Sequence, residues 1–219
     1  SIAPPARRGG AWFLRRQADS VVHRDDDLRT PLLLAAAGGD CTTCTLLIRR
    51  MATYDADAIN WPDAGGLTPL HWACTQQRVD AVALLLRHSA STTASDEDDR
   101  QPLHVAAFSG NARTVSLLLP HVPPDGLNAP SGDGLTPMHY AALSGSTSVV
   151  KLLIDAHAEL DALDEERRTA LSWAAGEGHE GTVIALLQAR ADVALVDANG
   201  LGPLHHAVKA AAIGCARAL

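Results

Sequence analysis

The sequence predicts an all-α solenoid, a stack of short helical hairpins. Three observations point there: a short motif recurring six times, a pair of small residues after five of the copies, and a scarcity of aromatic side chains. The motif reads Thr30-Pro31-Leu32, Thr68-Pro69-Leu70-His71, Gln101-Pro102-Leu103-His104, Thr136-Pro137-Met138-His139, Thr169-Ala170-Leu171 and Gly202-Pro203-Leu204-His205, in steps of 38, 33, 35, 33 and 33 residues. The small pairs are Ala35-Ala36, Ala73-Cys74, Ala106-Ala107, Ala141-Ala142 and Ala174-Ala175, and a Leu-rich segment such as Leu84-Leu85-Leu86 or Leu152-Leu153 follows. Aromatic residues make up 4% of a chain that is 47% hydrophobic. The core is therefore expected as thin Ala and Leu layers and not as one thick globule built around large rings.

Each part of the unit has a mechanical reason. Thr accepts a backbone N–H at a helix start, and Pro just inside that start lacks only a donor that has no partner anyway. A first helix thus begins at each motif. The small pair lets the neighbouring helix approach closely, and Gly39, Gly110, Gly145 and Gly178 stand where the first helix ends and the chain reverses. A second helix follows, with apolar residues three and four apart, as in Val149, Val150, Leu152 and Leu153. One such hairpin cannot bury its own apolar face, so each leans on the next.

This Thr-Pro-Leu-His, Ala-Ala and Gly pattern at a 33-residue period resembles the ankyrin repeat over residues 25–219. The units divide as 25–62, 63–95, 96–130, 131–163, 164–196 and an incomplete 197–219. The resemblance implies a loop or short β-hairpin finger before each first helix, and a concave partner-binding face made by fingers and first helices. Several positions depart from the pattern: Gln101 and Gly202 replace Thr, Ala170 replaces Pro, Leu33 and Ser172 replace His, and Gln77 and Ala211 replace the terminating Gly. Five extra residues around Arg50 to Asn60, and a link carrying Pro120, Pro123, Pro124 and Pro130, are predicted loop insertions. Residues 1–24 form a basic tail in which Trp12 to Asp19 are expected to make a capping helix. The sixth unit stops before its second helix is complete, which suggests an excerpt of a longer protein.

Net charge is −7, but the first 24 residues hold five Arg against one Asp, so the remainder carries 13 basic against 24 acidic residues, or −11. An acidic body repels phosphates, which makes nucleic acid a poor partner and basic partners a good one. The basic N-terminal stretch, Arg7, Arg8, Arg15 and Arg16 around Trp12 and Phe13, is expected to be a solvated tail or cap. Cys41, Cys44, Cys74 and Cys215 are scattered, and the first residues lack the apolar core of a signal peptide, which favours a reduced, intracellular and cytoplasmic setting. The longest apolar runs fall well short of the ~20 residues of a membrane helix.

Candidate chemistry is thin. Cys41-Thr42-Thr43-Cys44 has the spacing of a metal or redox half-site, but no second pair exists, and both positions are apolar in sibling units. His71, His104, His139 and His205 recur one repeat apart, which puts neighbours about 10 Å from one another, too far to share an ion held at about 2 Å. The resemblance implies a structural hydrogen bond near the capping Thr instead. His205-His206 lacks a further ligand set, and no nucleophile elbow or phosphate-cradling Gly motif appears. No catalytic residue, cofactor or metal is assigned, and the chain is not expected to be an enzyme. Trp72, Tyr140 and Trp173 share one first-helix position and are expected to pack on the core, with partial groove exposure as the alternative.

By analogy with the family, partner contacts come from the fingers and from the residues before the terminating Gly. The fingers supply Asp26, Asp27, Glu97, Asp98, Glu165 and Glu166, with Leu67, Arg100, Leu135 and Arg168 at finger bases. The helix ends add Thr75, Gln76, Phe108, Ser109, Leu143, Ser144 and Glu177. Phe108 and Leu143 hold equivalent positions in adjacent units and are expected to form an apolar hot spot flanked by acids. The expected function is a protein–protein interaction scaffold or adaptor for a segment with apolar anchors and basic residues. The alternative is a regulatory module of a larger enzyme or membrane protein, such as a channel or an acyltransferase.

Overall fold

The computed structural model describes residues 23–53 and 55–219. The capping helix and basic tail expected before residue 23 lie outside the described residues. Helices follow one another as Pro31–Gly38 (α1), Cys41–Met51 (α2), Pro69–Thr75 (α3), Val79–Arg87 (α4), Pro102–Ser109 (α5), Ala112–Leu118 (α6), a short Pro124–Leu127 (α7), Pro137–Leu143 (α8), Thr147–Asp155 (α9), Ala170–Gly176 (α10), Glu180–Gln188 (α11), Pro203–Lys209 (α12) and Ile213–Ala218 (α13). First helices α1, α3, α5, α8, α10 and α12 pack in one row, and second helices α2, α4, α6, α9, α11 and α13 in another. No strand occurs among the described residues, so the fingers are loops.

The motif begins the helices as its chemistry requires. Thr30 and Thr169 accept the backbone N–H of Leu33 and Ser172, each at 3.2 Å. Gly39, Gly110, Gly145 and Gly178 end the first-helix turns at φ 77°, 74°, 70° and 79°, where L side chains are strained. Gln77 and Ala211 hold the same left-handed turn at φ 54° and 55° without a glycine.

Both expected loop insertions turn out helical. The first is a 3₁₀ turn at Ala56–Asn60, whose start is held by the Asp55 carboxylate accepting from the Asp57 N–H. The second is a 3₁₀ turn at Leu119–His121 followed by α7. Reading the prolines only as breakers missed that a fixed φ also pre-sets the first turn of a helix.

One apolar residue per layer forms each seam of the core. Leu32, Leu70, Leu103, Met138 and Leu171 line the first-helix row, and Leu85, Leu118, Leu153 and Leu186 the second, all essentially inaccessible to solvent. In the sixth layer Leu204 is half exposed instead. The small pairs are sealed between rows, from Ala73-Cys74 through Ala174-Ala175, which is what lets the helices approach.

Two further ties join the layers. His71, His104 and His139 each accept the capping residue's own N–H at Nδ1 and donate from Nε2 to a carbonyl ahead: Arg100 at 3.0 Å, Ala129 at 2.8 Å and Arg168 at 3.1 Å. The fingers form a backbone ladder, with Ala64, Glu97, Gly132, Glu165 and Ala198 donating to Asp27, Gly65, Asp98, Asp133 and Glu166 of the finger before.

Candidate partner-binding face

The row of fingers and the outer side of the first helices present one continuous face. Along it runs the residue four places after each helix-capping position: Trp72, Val105, Tyr140 and Trp173, each half-buried, and His206. These side chains have a foot in the core and an edge in solvent, so the two expectations for Trp72, Tyr140 and Trp173 meet in the middle. Two indoles are tied to their own finger. Trp72 Nε1 donates to Asp63 at 2.8 Å and Trp173 Nε1 to Asp164 at 2.9 Å, while the Arg168 guanidinium lies 3.9 Å over the Trp173 ring.

Phe108 is 54% exposed at the end of α5. Its ring meets Tyr140 edge-on at 6.1 Å, and Tyr140 in turn meets His104 at 5.6 Å, a favourable edge-to-face geometry. Leu143 stands three residues beyond Tyr140 on α8, and so on the same side of that helix, half-buried. An apolar patch thus spans the third and fourth layers. Thr75, Gln76 and Glu177 are exposed at their helix ends, and Ser109 and Ser144 are half-buried beside the patch.

At the fingers, Glu97, Asp98, Glu165 and Glu166 are exposed. The two arginines among the expected contacts are already engaged. Arg100 bridges Asp96 at 2.9 Å and Asp98 at 3.0 Å, and Arg168 bridges Asp164 at 3.0 Å and Glu166 at 2.9 Å. Each guanidinium therefore braces its own finger, leaving Glu97, Asp99 and Glu165 as the outward carboxylates of fingers three and five. Leu67 is half-buried, and Leu135 is only 8% exposed, so its side chain faces the stack and forms the floor of the face. Beside Leu135 a cleft of about 290 Å³ opens between the fourth and fifth fingers, lined by Asp133, Glu165, Glu166, Arg168 and Trp173. Asp133 was not singled out from the sequence, because its finger is otherwise glycine-rich and uncharged.

The motif histidines His71, His104 and His139 are buried in the core. Burial pushes His71 down to about 4 and lowers His104 and His139 as well, so all three rings are neutral at physiological pH. The four cysteines are free. Burial raises the Cys44 thiol to about 11 and raises Cys74 too, which keeps both protonated and unreactive. Among the described residues no cluster of three or more His, Cys, Asp or Glu side chains is arranged to hold a metal, and no helix is long and apolar enough to cross a membrane.

Comparison with known proteins agrees with the repeat. A family model described as "Ankyrin repeats (3 copies)" matches residues 10–96, 89–164 and 156–219. The chain is 34% identical over 198 residues to the neurogenic locus notch homolog protein 1 of Xenopus laevis, covering 86% of this chain and 8% of that protein. It is 31% identical over 174 residues to the human protein of the same name, covering 75% of this chain and 7% of that one. The chain thus spans less than a tenth of the length of these relatives. With the family model covering nearly all of a chain built from stacked Thr-Pro-Leu-His hairpins, this protein belongs to the ankyrin-repeat family.

Proposed function

We propose that the chain is a protein-interaction module whose acidic concave face, made by fingers and first helices, captures a partner segment carrying apolar anchors and basic residues. The observation that carries this reading is Phe108. A large ring left half in solvent, braced edge-on by Tyr140, has no need to be there for packing, and it sits among carboxylates that favour cationic neighbours. The contact set is Leu67, Thr75, Gln76, Glu97, Asp98, Phe108, Leu143, Glu165, Glu166 and Glu177. Arg100, Leu135 and Arg168 frame it from behind.

Non-enzymatic binding in a reduced, cytoplasmic setting belongs to the same reading. A second form of it, the regulatory module of a larger protein, is favoured by the small share of the relatives' length that this chain matches. In both forms the same face does the binding.

The test is a quantitative pull-down from matching cell extract, with wild type beside Phe108→Glu/Leu143→Glu. Partner recovery falls strongly in the double variant while helical content and melting stay nearly unchanged. Equal recovery by both proteins would place the binding surface elsewhere.

A further inference from the structure

The fingers alternate in kind. The first, third and fifth read Asp25-Asp26-Asp27-Leu28-Arg29, Asp96-Glu97-Asp98-Asp99-Arg100 and Asp164-Glu165-Glu166-Arg167-Arg168, and the second, fourth and sixth read Asp63-Ala64-Gly65-Gly66-Leu67, Ser131-Gly132-Asp133-Gly134-Leu135 and Asp197-Ala198-Asn199-Gly200-Leu201. Each odd finger closes with an arginine braced between the first and third residues of that finger. Each even finger closes with a leucine and makes its left-handed turn on a glycine, Gly66, Gly134 or Gly200. The glycines also yield space to the following odd finger. A Cβ on Gly66 would come within 2.8 Å of the Asp96 backbone, and one on Gly134 within 2.9 Å of the Glu165 backbone. The edge of the face therefore repeats every two layers, a bulky acidic finger alternating with a slim one.

From this alternation, and resting on the proposed concave-face reading, we infer that the partner is an extended segment whose basic side chains recur in two-layer steps, straddling a slim finger. The favoured register places them on fingers three and five. Their closing arginines, Arg100 and Arg168, are spent internally, so Glu97 and Asp99 on one side and Glu165 on the other meet the ligand, with Asp133 between them. Inward of those fingers the outer side of the first helices is apolar, with Tyr140, Phe108 and Leu143 toward the ends of α5 and α8 and Leu135 at the finger base, and it takes the anchor. Exposed Arg167 makes finger five the less negative end, so the stronger basic contact falls on finger three. Helix layers about 8–10 Å apart put two steps at about 16–20 Å, and an extended chain advancing about 3.3 Å per residue covers that in about five or six residues.

The probe is a series of fluorescein-labelled synthetic peptides with one leucine midway between two lysines, the lysine separation running from short to long, read by fluorescence anisotropy at low salt. Affinity peaks when the lysines lie about five or six residues apart and drops about two- to fivefold at much shorter or longer separations, the loss of one exposed charge pair. Glu97→Gln/Asp99→Asn removes most of that peak, and Glu165→Gln removes less. Binding that ignores lysine spacing yet is lost in Phe108→Glu/Leu143→Glu overturns the two-layer register and leaves the concave-face reading standing. Binding unaffected by that double variant sinks both, and so does the absence of binding by every peptide in the series.

Discussion

Histidine is the residue on which the layers turn, and its burial makes a pH signature. His71 titrates at about 4 in the folded chain, with His104 and His139 lowered in the same direction by the same loss of solvent. An unfolded histidine titrates at about 6.5. Between those values the unfolded chain binds protons that the folded chain refuses, so stability is fully present above about pH 6.5 and is lost as pH falls toward about 4. For His71 alone the loss approaches about 3 kcal/mol. Urea unfolding across that range should show the decline, and a flat profile would contradict the neutral, doubly bonded ring. The carboxylates that the structure favours in charged form, such as Asp197, add their own loss only below about pH 5, so the upper part of the decline belongs to the histidines. Left-handed turns supply a second residue-scale contrast. Ala211→Gly should stabilise by about 1 kcal/mol because φ 55° costs any L side chain. Gln77→Gly should gain less, since the Gln77 amide donates to the Ser109 carbonyl of the next layer at 2.9 Å. Both turns were legible in the sequence as sites where a terminating glycine was missing. The interlayer bond of Gln77 was not, because it depends on where the next layer sits.

At the scale of the element, fingers and links carry the part of the structure that the sequence pattern described least well. A motif such as Thr68-Pro69 encodes its own helix start, so the first helices were placed from local chemistry alone. The links after α2 and α6 were expected as loops and contain helical turns, the first started by the Asp55 cap and the second by prolines, which start a turn as readily as they break one. Leu135 was expected at a finger base as a partner contact and is only 8% exposed there, a depth that depends on the neighbouring layers. The fingers themselves give two predictions. Gly134→Ala should destabilise by about 2 kcal/mol or more, combining a left-handed φ with a backbone clash, whereas Gly200→Ala, with nothing within 4 Å, should cost only about 1 kcal/mol. Equal losses would argue against close finger contact. Asp164 accepts from the Arg168 backbone and guanidinium and from the Trp173 indole. Asp164→Ala should therefore cost about 3 kcal/mol and shift Trp173 fluorescence, as removal of one partner from a largely buried charge network does. A loss within a few tenths of a kcal/mol would show that the finger is not braced from inside.

For the whole molecule, the six-fold motif fixed the architecture because each layer repeats the same local solution and stability accumulates between neighbours. The proposed binding face was legible only in part. Phe108 stood out in the sequence because a core position does not call for it. The engagement of Arg100 and Arg168 with their own fingers, and the exposure of Asp133 beside Leu135, emerge only when consecutive fingers are set side by side. With Arg100 and Arg168 spent, the outward charge of the face is negative, so partner capture should weaken as salt rises from low to physiological ionic strength, where the screening length is about 8 Å. Salt-independent capture would mean that the apolar patch acts alone. The most direct test of the face as the site of recognition is amide hydrogen exchange on the chain with its captured partner bound. Protection should appear in fingers three to five and along the ends of α5 and α8, around Phe108 and Leu143. Protection confined to the second helices α4, α6 and α9 would contradict it.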